Sequence, residues 1–562
     1  MEPKNAYQTG EFKISATLQK IIDQIDILSK TYPKSEDNLR FYDLIEQLVK
    51  LTSLSEQENQ YLKTRLGLNA KKGSDKDDNN PKKPRPNHSS EKERSGSSSP
   101  KKTSGRKARQ LDVHQDLLCH IPEEDQPGST FIGQESHIYQ GISINEHNVR
   151  VTRVIYKDAA GKIKKAPLPP GYLPNGGFTP DLHAAILHFK HACAMTQTAI
   201  SQFFSAYGIE ISSGSISNIL LRESAKFHKD KALLHQTVME CSPIQQFDDT
   251  GARVNGENWH THIINHDNYA LFETRKRKDR LSLIDVFMGQ ESGQRKYRFN
   301  EETMCLLENF GISGIQKKRL EEEIKKRDCE EMGNEEVEEI LIKLYPEGSH
   351  QKTQEWIRHA GAIVYYHEQE KVGVPEVVIS DNAAQFDEVF LNQGLCWVHE
   401  GRHYKKLYPV VPAHKELLKM KEGELWGYYR KLEEYQDGER ERSGLEEEFE
   451  KIFGEKTGYS GLDERLKKTL RKKEKLLLVL ERKEIPLHNN KSEQGARVKA
   501  RYRDISLHNR SEEGAKVTDT MMSVVETLRR LGKNAMEYIK SRLKGEKEGI
   551  ELSEMVKAEL IG

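Results

Sequence analysis

The stretch Gln246-Phe247-Asp248-Asp249-Thr250-Gly251-Ala252-Arg253 closes a mostly apolar lead-in, and Asn-Trp-His-Thr-His-Ile-Ile-Asn follows it at residues 258–265. The near-alternating pattern of the second stretch predicts a strand, so the two aspartates are expected on one arm of a hairpin. A carboxylate on such a strand is held in a fixed direction, as a metal-binding acid must be. Two further acids, Asp381 and Glu493, stand in sequence contexts that could complete such a site.

The composition limits what kind of protein this is. A chain of 562 residues is too long for one core, and roughly three to four domains are expected. Hydrophobic residues make up 35% of the sequence, which suffices for globular cores only if some segments stay outside them. The formal net charge is zero, so any contact with DNA must come from local basic patches rather than from a uniformly basic surface.

The sequence is not expected to be that of a membrane protein or of a disulfide-rich secreted protein. No apolar run approaches the roughly 18–20 residues that cross a bilayer, and the N-terminus lacks a signal-peptide core. The six cysteines contain no Cys-x-x-Cys pair, which argues against a zinc module or a disulfide framework and predicts a reducing cytoplasm.

The N-terminal third is predicted to form separate small modules. Residues 1–70 carry apolar side chains at helical spacing, which fits either a helical hairpin packed on its own chain or a short coiled-coil contact. Residues 71–110 are rich in Lys, Arg, Ser, Pro and Gly and are expected to be a disordered basic linker, either a solvated tether or a non-specific phosphate-binding segment. Residues 111–180 alternate short patterned runs with Gly/Pro turns and are expected to form a small β-rich module.

Residues 181–240 turn helical. Two short helices are predicted on either side of a break at residues 207–211, and the second should begin at Ser213-Gly214-Ser215. This is the shape of a helix-turn-helix, whose second helix enters the major groove, so Ser213 and Ser215 are candidate DNA contacts. Ordinary packing of two helices around a glycine break is the alternative.

Residues 241–562 have the order of an α/β domain. After the opening hairpin, a third strand is predicted at 269–274, a helix at 279–288, and strands at 376–380 and 394–399. Acids at strand ends in this order are consistent with a ribonuclease-H-like sheet. Insertions are expected at about 290–360 and, in helical form, at about 405–485, where the charged runs are either a solvated face or a DNA contact.

The types of acid suit phosphodiester chemistry. Two divalent ions about 3.5–4 Å apart can activate an oxygen nucleophile and neutralise charge at phosphorus, and they need converging carboxylates. Mg²⁺ prefers such hard oxygen ligands. Glu493 is predicted in the first turn of a helix capped by Asn490 or Ser492, although a Glu at this position can also serve the helix dipole alone.

From about residue 111 onward the motifs resemble the DDE transposases of the insertion-sequence-66 family. Asp248-Asp249-Thr250 is similar to the family's Asp-Glu-Thr block, and Ser380-Asp381-Asn382 to its second-acid block. Residues 396–403, Cys-Trp-Val-His-Glu-Gly-Arg-His, resemble its Cys-Trp-x-His-x-x-Arg signature. Residues 489–493, Asn-Asn-Lys-Ser-Glu, resemble its third-acid block, and residues 511–515 resemble its C-terminal region.

The resemblance implies a DDE-type DNA transposase, a polynucleotidyl transferase that cleaves at element ends and joins them to target DNA. It assigns Asp248, Asp381 and Glu493 as catalytic and metal-binding acids for Mg²⁺ or Mn²⁺, with two ions expected. The implied partner is double-stranded DNA, as terminal inverted repeats and target. A homodimer or higher oligomer on DNA, helper proteins from the same element, and a bacterial cytoplasmic location at the nucleoid are also implied, with no membrane association.

Four basic residues near the motifs are candidate DNA contacts. His399 and Arg402 either steady the scissile phosphate or serve the structure beside the core strand. Arg497, at i+4 from Glu493, either pairs with that carboxylate or reaches phosphate, and Arg501 follows one turn later.

The chain departs from the family pattern in three places. Asp249 stands where Glu is usual, Gln494 replaces the Arg after the third acid, and Cys119 alone remains where the family carries a cysteine-rich zinc module, so no zinc is expected. The alternatives to an active transposase are a catalytically inactive DNA-binding repressor or accessory protein of an insertion sequence, and a helical protein whose acids are ordinary surface charges.

Overall fold

A computed structural model describes most of the chain from residue 146 onward and part of the N-terminal region. The described residues are 20, 23, 42–52, 117, 137, 144, 146–157, 162–173, 177–327, 329–346, 349–545 and 550–561. The predicted linker at 71–110 and the single Cys119 lie outside these residues.

The described residues form a mixed α/β structure that is mostly helical. The strands are β1 (Ile155–Lys157), β2 (Ile163–Lys165), β3 (Ile244–Val254), β4 (Glu257–Asn265), β5 (Ala270–Arg275), β6 (Lys296–Arg298), β7 (Glu331–Gly333), β8 (Val377–Ser380) and β9 (Gln393–Leu395). The helices are α1 (42–52), α2 (Pro180–His191), α3 (Gln197–Ser205), α4 (Ser213–Ser224), α5 (His228–Cys241), α6 (Arg280–Met288), α7 (Glu301–Asn309), α8 (Gly314–Lys325), α9 (Asn334–Leu344), α10 (Gln351–Glu368), α11 (Trp397–Tyr404), α12 (Pro412–Gln436), α13 (Leu445–Gly454), α14 (Ser460–Leu470), α15 (Lys473–Leu476), α16 (Asn490–Ser506), α17 (Glu512–Arg530), α18 (Ala535–Lys544) and α19 (Leu552–Ile561).

The central sheet has five strands in the order β5-β4-β3-β8-β9. The first three strands form an antiparallel meander, and β8 and β9 add to β3 in parallel. The β3–β4 turn is Asn255-Gly256, and both residues have positive φ, at 48° and 78°. This is the turn that Asn-Gly favours between right-twisted strands, and it fixes the register that places Asp248 opposite Ile263. The predicted strands at 258–265, 269–274 and 376–380 are confirmed to within about one residue.

Helices cover both faces of the sheet. On one face, Phe247 packs against Phe287 of α6, with ring centroids 5.8 Å apart, and α10 packs behind α6. On the other face, α16 packs on β3 and β4 at a position where it carries Gly495. A Cβ at Gly495 would lie about 3.0 Å from the Asn265 amide, so any larger residue would have to displace this side chain. The second half of α10 is buried, which makes this helix part of the main core although its start falls within the predicted insertion at 290–360.

The outer edge of the sheet is closed by side chains of α17. Asp519, Ser523 and Thr527 lie four residues apart on one face of this helix and accept hydrogen bonds from the backbone N–H groups of Thr274, Phe272 and Ala270, at 2.6, 2.9 and 3.1 Å. The helix thus satisfies the outward-facing N–H groups of β5. These groups would otherwise be free to pair with a strand of another chain.

The predicted insertion at 405–485 is helical and has its own hydrophobic core. This core includes Trp397, Tyr428, Phe449 and Phe453, and the Trp397 indole N–H donates to the carbonyl of Leu476 at 3.0 Å. The prediction of one strand over 394–399 is therefore wrong in its second half. The strand ends at Leu395, because Trp397 is buried among the helices of the insertion and begins α11 there.

The N-terminal modules are described in part. Helix α1 packs on its own chain, with Tyr42 against Val411 and Val49 against Val410. The described part of the predicted β-rich module contains the short hairpin β1–β2. The two helices of the helix-turn-helix region are confirmed as α3 and α4, and Ser212 caps the second by accepting the Ser215 N–H at 3.1 Å. No helix in the described ranges has the length and apolarity to span a membrane.

Candidate active site

Asp248 lies in the middle of β3 on the face of the sheet that α16 covers. Successive strand side chains point to opposite faces, and Phe247 packs toward α6, so Asp248 points toward α16. One of its carboxylate oxygens accepts the backbone N–H of Asp249 at 2.8 Å. The side chain is half-buried.

Asp381 is the first residue after β8, the strand parallel to β3. The register pairs Gln246 with Ile379, so continuing both strands by two residues brings Asp381 level with Asp248. The Asp381 carboxylate accepts the backbone N–H of Ala383 at 3.2 Å, and its carbonyl accepts from the Gln393 amide at 3.1 Å. These contacts fix the loop that leaves the strand.

Glu493 lies in the first turn of α16, and the start of this helix is hydrogen-bonded to β3. Asn489 donates its side-chain amide to the carbonyl of Phe247 at 2.7 Å, and the backbone N–H of Lys491 donates to the Gln246 side chain at 3.2 Å. The helix therefore begins beside the residue that precedes Asp248.

The predicted caps of this helix, Asn490 and Ser492, are wrong. The N-cap position is Asn489, and Asn490 is already helical. The Asn489 side chain accepts no hydrogen bond from the first turn of the helix, because it is turned toward β3, where its NH₂ group donates to Phe247. Ser492 faces the sheet instead, where its hydroxyl accepts from Asn265 at 3.3 Å.

Asp381 and Glu493 lie close enough to Asp248 for their charges to act on its carboxyl group. Burial raises the pKa of Asp248 to about 7, against the opposing hydrogen bond from Asp249, and the negative charges of Asp249, Asp381 and Glu493 raise it further. The fold thus brings together side chains that are far apart in sequence. Among the described residues, however, no three His, Cys, Asp or Glu side chains are grouped closely enough to form a ready-made metal site.

Asp249 is turned away from Asp248, and it is held by other partners. Lys278 lies 2.6 Å from one of its carboxylate oxygens, and the Gln385 amide donates to the other at 3.4 Å. Neither partner was singled out by sequence reasoning, because an isolated Lys and Gln carry no motif. The two adjacent aspartates therefore have different surroundings.

Three basic side chains surround Glu493. Arg402 contacts both of its carboxylate oxygens, at 3.0 and 3.1 Å. Arg497 lies 3.3 Å away and His399 3.7 Å away. The i+4 pairing of Arg497 with Glu493 is thus confirmed. Burial lowers the pKa of His399, although the charge of Glu493 acts in the opposite direction.

The remaining signature residues join the site to the helical insertion. Cys396 accepts the backbone N–H of Asn489 at 3.2 Å, and burial raises the pKa of this thiol to about 11, so it is a structural side chain rather than a nucleophile. Glu400, which the sequence did not single out, is buried and pairs with Arg465 and Lys472 of the insertion, at 2.5 and 2.9 Å. Helix α11 therefore has one face on Glu493 and another on the insertion.

The other candidate DNA contacts lie outside the acidic cluster. Arg501 is exposed on α16, one turn beyond Arg497. Ser213 is exposed and Ser215 half-buried in the first turn of α4. Helix α4 packs on α2, α3 and α17, and no hydrogen bond or ion pair within the described residues links either serine to the acids.

Together, the fold and this site define a mixed α/β protein with acids from two strands and one helix gathered at one face of its sheet. Residues 365–517, which contain Asp381, the segment 396–403 and Glu493, match the family described as transposase IS66 family. The resemblance predicted from the motifs is confirmed over these residues, which are similar to this family of transposases. The match indicates a function related to transposition.

A curated relative is similar to a larger part of the chain. An uncharacterized protein, y4jO, from Sinorhizobium fredii (strain NBRC 101917 / NGR234) is 28% identical over 324 residues, which are 55% of this chain and 94% of the relative. No solved structure matches the chain.

Proposed function

We propose that this protein is a metal-dependent DNA transposase that cleaves DNA at the ends of its element and transfers the strands to target DNA. The observation that carries the proposal is the convergence of Asp248, Asp381 and Glu493 from β3, the end of β8 and the start of α16, within a family of transposases. The strand order, three antiparallel strands followed by two parallel ones, supports a ribonuclease-H-like catalytic core.

The donor set fits a divalent metal. The pKa of Asp248 is raised by burial and by the neighbouring carboxylates, and these hard oxygen ligands repel one another in a way that a bound cation would relieve. Asp248, Asp381 and Glu493 would hold Mg²⁺ or Mn²⁺, with two ions expected. When bound, the ions would activate the attacking oxygen and stabilise charge at phosphorus.

The chain's own residues would determine which acid binds the metal and would position the DNA. Lys278 and Gln385 hold Asp249 away, which leaves Asp248 as the ligand. Arg501, exposed on the helix that carries Glu493, is suited to contact backbone phosphate. Helix α4, with Ser213 and Ser215 at its start, would read the terminal repeats as the second helix of a helix-turn-helix.

The proposal includes the partners. Double-stranded DNA enters as terminal inverted repeats and as target, and synapsis of two ends requires a homodimer or a higher oligomer. Helper proteins of the same element and a place at the bacterial nucleoid complete the proposal.

The test is an assay of end cleavage and strand transfer with purified protein, Mg²⁺ or Mn²⁺, and the terminal DNA of the element. We expect Asp248→Asn, Asp381→Asn and Glu493→Gln each to lower the rate by about 10³-fold, because each removes a ligand needed in the transition state. Asp249→Asn is the matched control: it removes the neighbouring carboxylate, and we expect a loss of less than about tenfold.

Two results would contradict this assignment. If the three variants keep the wild-type rate, the acids are not catalytic. If the wild type binds the terminal DNA but neither cleaves nor joins it with either metal, the protein is the inactive repressor or accessory protein that the change at Gln494 leaves as the alternative.

A further inference from the structure

The contact between Arg402 and Glu493 has a geometry that competes with metal binding. The guanidinium of Arg402 meets both carboxylate oxygens of Glu493, at 3.0 and 3.1 Å. The contact to Oε2 is a charged hydrogen bond and the contact to Oε1 is an ion pair without a hydrogen bond, and a cation bound to Glu493 would compete with both. Asp248 and Asp381 carry no comparable arginine contact among the described ion pairs.

We propose that Arg402 is an exchangeable clamp on Glu493: it holds this carboxylate until a DNA phosphate takes over the guanidinium, and Glu493 then joins Asp248 and Asp381 as a metal ligand. This inference rests on the proposed transposase function and makes Arg402 a positioning residue for it. The site would then bind metal tightly only when DNA is in place.

The surroundings of Arg402 permit the exchange. About a quarter of its side chain is exposed, so phosphate can reach it, whereas the other face of α11 is anchored by buried Trp397 and Glu400. The helix can therefore stay in place while the long arginine side chain changes partner. Phosphate is a suitable competitor, because its oxygens can accept two parallel N–H bonds from one guanidinium group.

Arg497 adds a second cation at the same spot. It lies 3.3 Å from one Glu493 oxygen and is about half exposed. A phosphate that approached Glu493 would thus meet two guanidinium groups, which offsets its repulsion from the acids. Substrate would be drawn to the same place where the clamp is released.

The experiment measures Mn²⁺ binding by electron paramagnetic resonance of the free ion, with and without a DNA duplex of arbitrary sequence. For the wild type, we expect DNA to tighten Mn²⁺ binding about tenfold, within the usual range of coupling between two sites. Arg402→Gln should bind Mn²⁺ about tenfold more tightly than the wild type without DNA, and DNA should then add less than about twofold.

The control variants separate the clamp from general electrostatics. Arg442→Gln removes an equal charge from an exposed arginine that pairs with Glu446 and not with Glu493, and it should change Mn²⁺ affinity less than about twofold. Arg402→Gln combined with Glu493→Gln should lose the gain, because the gain acts through that carboxylate. Arg402→Lys, which keeps a charge but cannot make the two-pronged contact, should fall between wild type and Arg402→Gln.

The outcomes distinguish two failures. If Arg402→Gln is folded, as judged by circular dichroism, and binds Mn²⁺ no better than the wild type, or if Arg442→Gln gives the same gain, the clamp is wrong and the proposed function still stands. If Arg402→Gln does not fold, Arg402→Lys decides by the same comparison. If Asp248→Asn and Asp381→Asn bind Mn²⁺ as the wild type does, the proposed metal site itself is wrong.

Discussion

Two aspartates lie where α16 meets the sheet, and their surroundings differ in charge. Asp519 belongs to α17 and is buried beside the middle of α16. It contacts the ammonium of Lys499 at 2.7 Å and accepts from the backbone N–H and hydroxyl of Thr274 at 2.6 and 3.0 Å. Asp248 belongs to β3 and lies near the start of α16, where further acids raise its pKa. The first carboxylate is balanced by its own chain, and the second is not.

This difference separates structural from functional charge. A buried carboxylate with a cation and hydrogen-bond donors completes the packing of three elements, here α16, α17 and β5. An acid such as Asp248, whose charged neighbours are other acids, costs stability in the absence of a partner, and such a cost is typical of sites that bind something from solution. The comparison predicts that substitutions in the two regions change stability in opposite directions.

The largest effect is expected from Lys499→Met. Without the ammonium, the charge of Asp519 stays buried with only the Thr274 contacts, and breaking a buried pair in this way costs about 3–5 kcal/mol. Urea unfolding should show the lower midpoint. Lys468→Met is the control, because its pair with Glu464 is exposed and should contribute about 0–1 kcal/mol. Equal losses in the two variants would show that Asp519 is not specially balanced by Lys499.

An opposite and smaller effect is expected from Asp248→Asn in metal-free protein. The folded-state pKa of about 7 lies above the ordinary value of 3.8, so ionised Asp248 destabilises the fold. The wild type should lose stability relative to the variant as the pH rises from about 4 to 7. Above pH 7 the variant should be more stable by about 1–2 kcal/mol, a value reduced for solvent screening because Asp248 is only half-buried.

The measurement for Asp248 is the thermal midpoint of both proteins in chelator across this pH range. Asp249→Asn serves as the matched control, since Lys278 already balances that carboxylate. If the wild type is as stable as Asp248→Asn at pH 8, ionised Asp248 does not destabilise the fold, and its surroundings do not differ from those of Asp519 in the way proposed.

The smallest effect on stability is expected at Glu46. This third carboxylate is buried and, like Asp519, is neutralised by partners from its own chain. Burial raises its pKa, but the hydrogen bond from His414, the charge of Lys50 and the backbone N–H of Val411 together lower it below 4.5. Because the folded-state pKa is depressed, this carboxylate stabilises the docking of α1 above pH 4.5, and the stabilisation is lost as the pH falls through the folded-state value.

Glu46→Gln should therefore weaken the docking of α1 by about 1 kcal/mol at pH 7. Faster amide hydrogen exchange of residues 42–52, with unchanged exchange in the central sheet, is the expected readout. The difference between variant and wild type should shrink on acidification. If exchange in α1 is the same in both proteins at pH 7, Glu46 does not hold this helix.

Much of the secondary structure could be predicted, because local pattern and turn chemistry agree with the fold. The hairpin follows from alternation together with Asn255-Gly256, and the strand before Asp381 follows from its β-branched run. The errors arise where tertiary contacts override local preference. Trp397 begins a helix because the insertion buries its indole, and Ser492 does not cap α16 because its hydroxyl faces the sheet and accepts from Asn265.

The sequence by itself determined the family resemblance and the candidate acids, because short motifs keep their order even when long segments separate them. Only the tertiary structure decided which neighbours these acids have. Strand alternation and the placement of α16 on one face of the sheet put Asp248 toward Glu493 and Asp249 toward Lys278. The contacts of Arg402 with Glu493 and of Lys499 with Asp519 depend on how separate elements pack, and no local pattern in the chain encodes that packing.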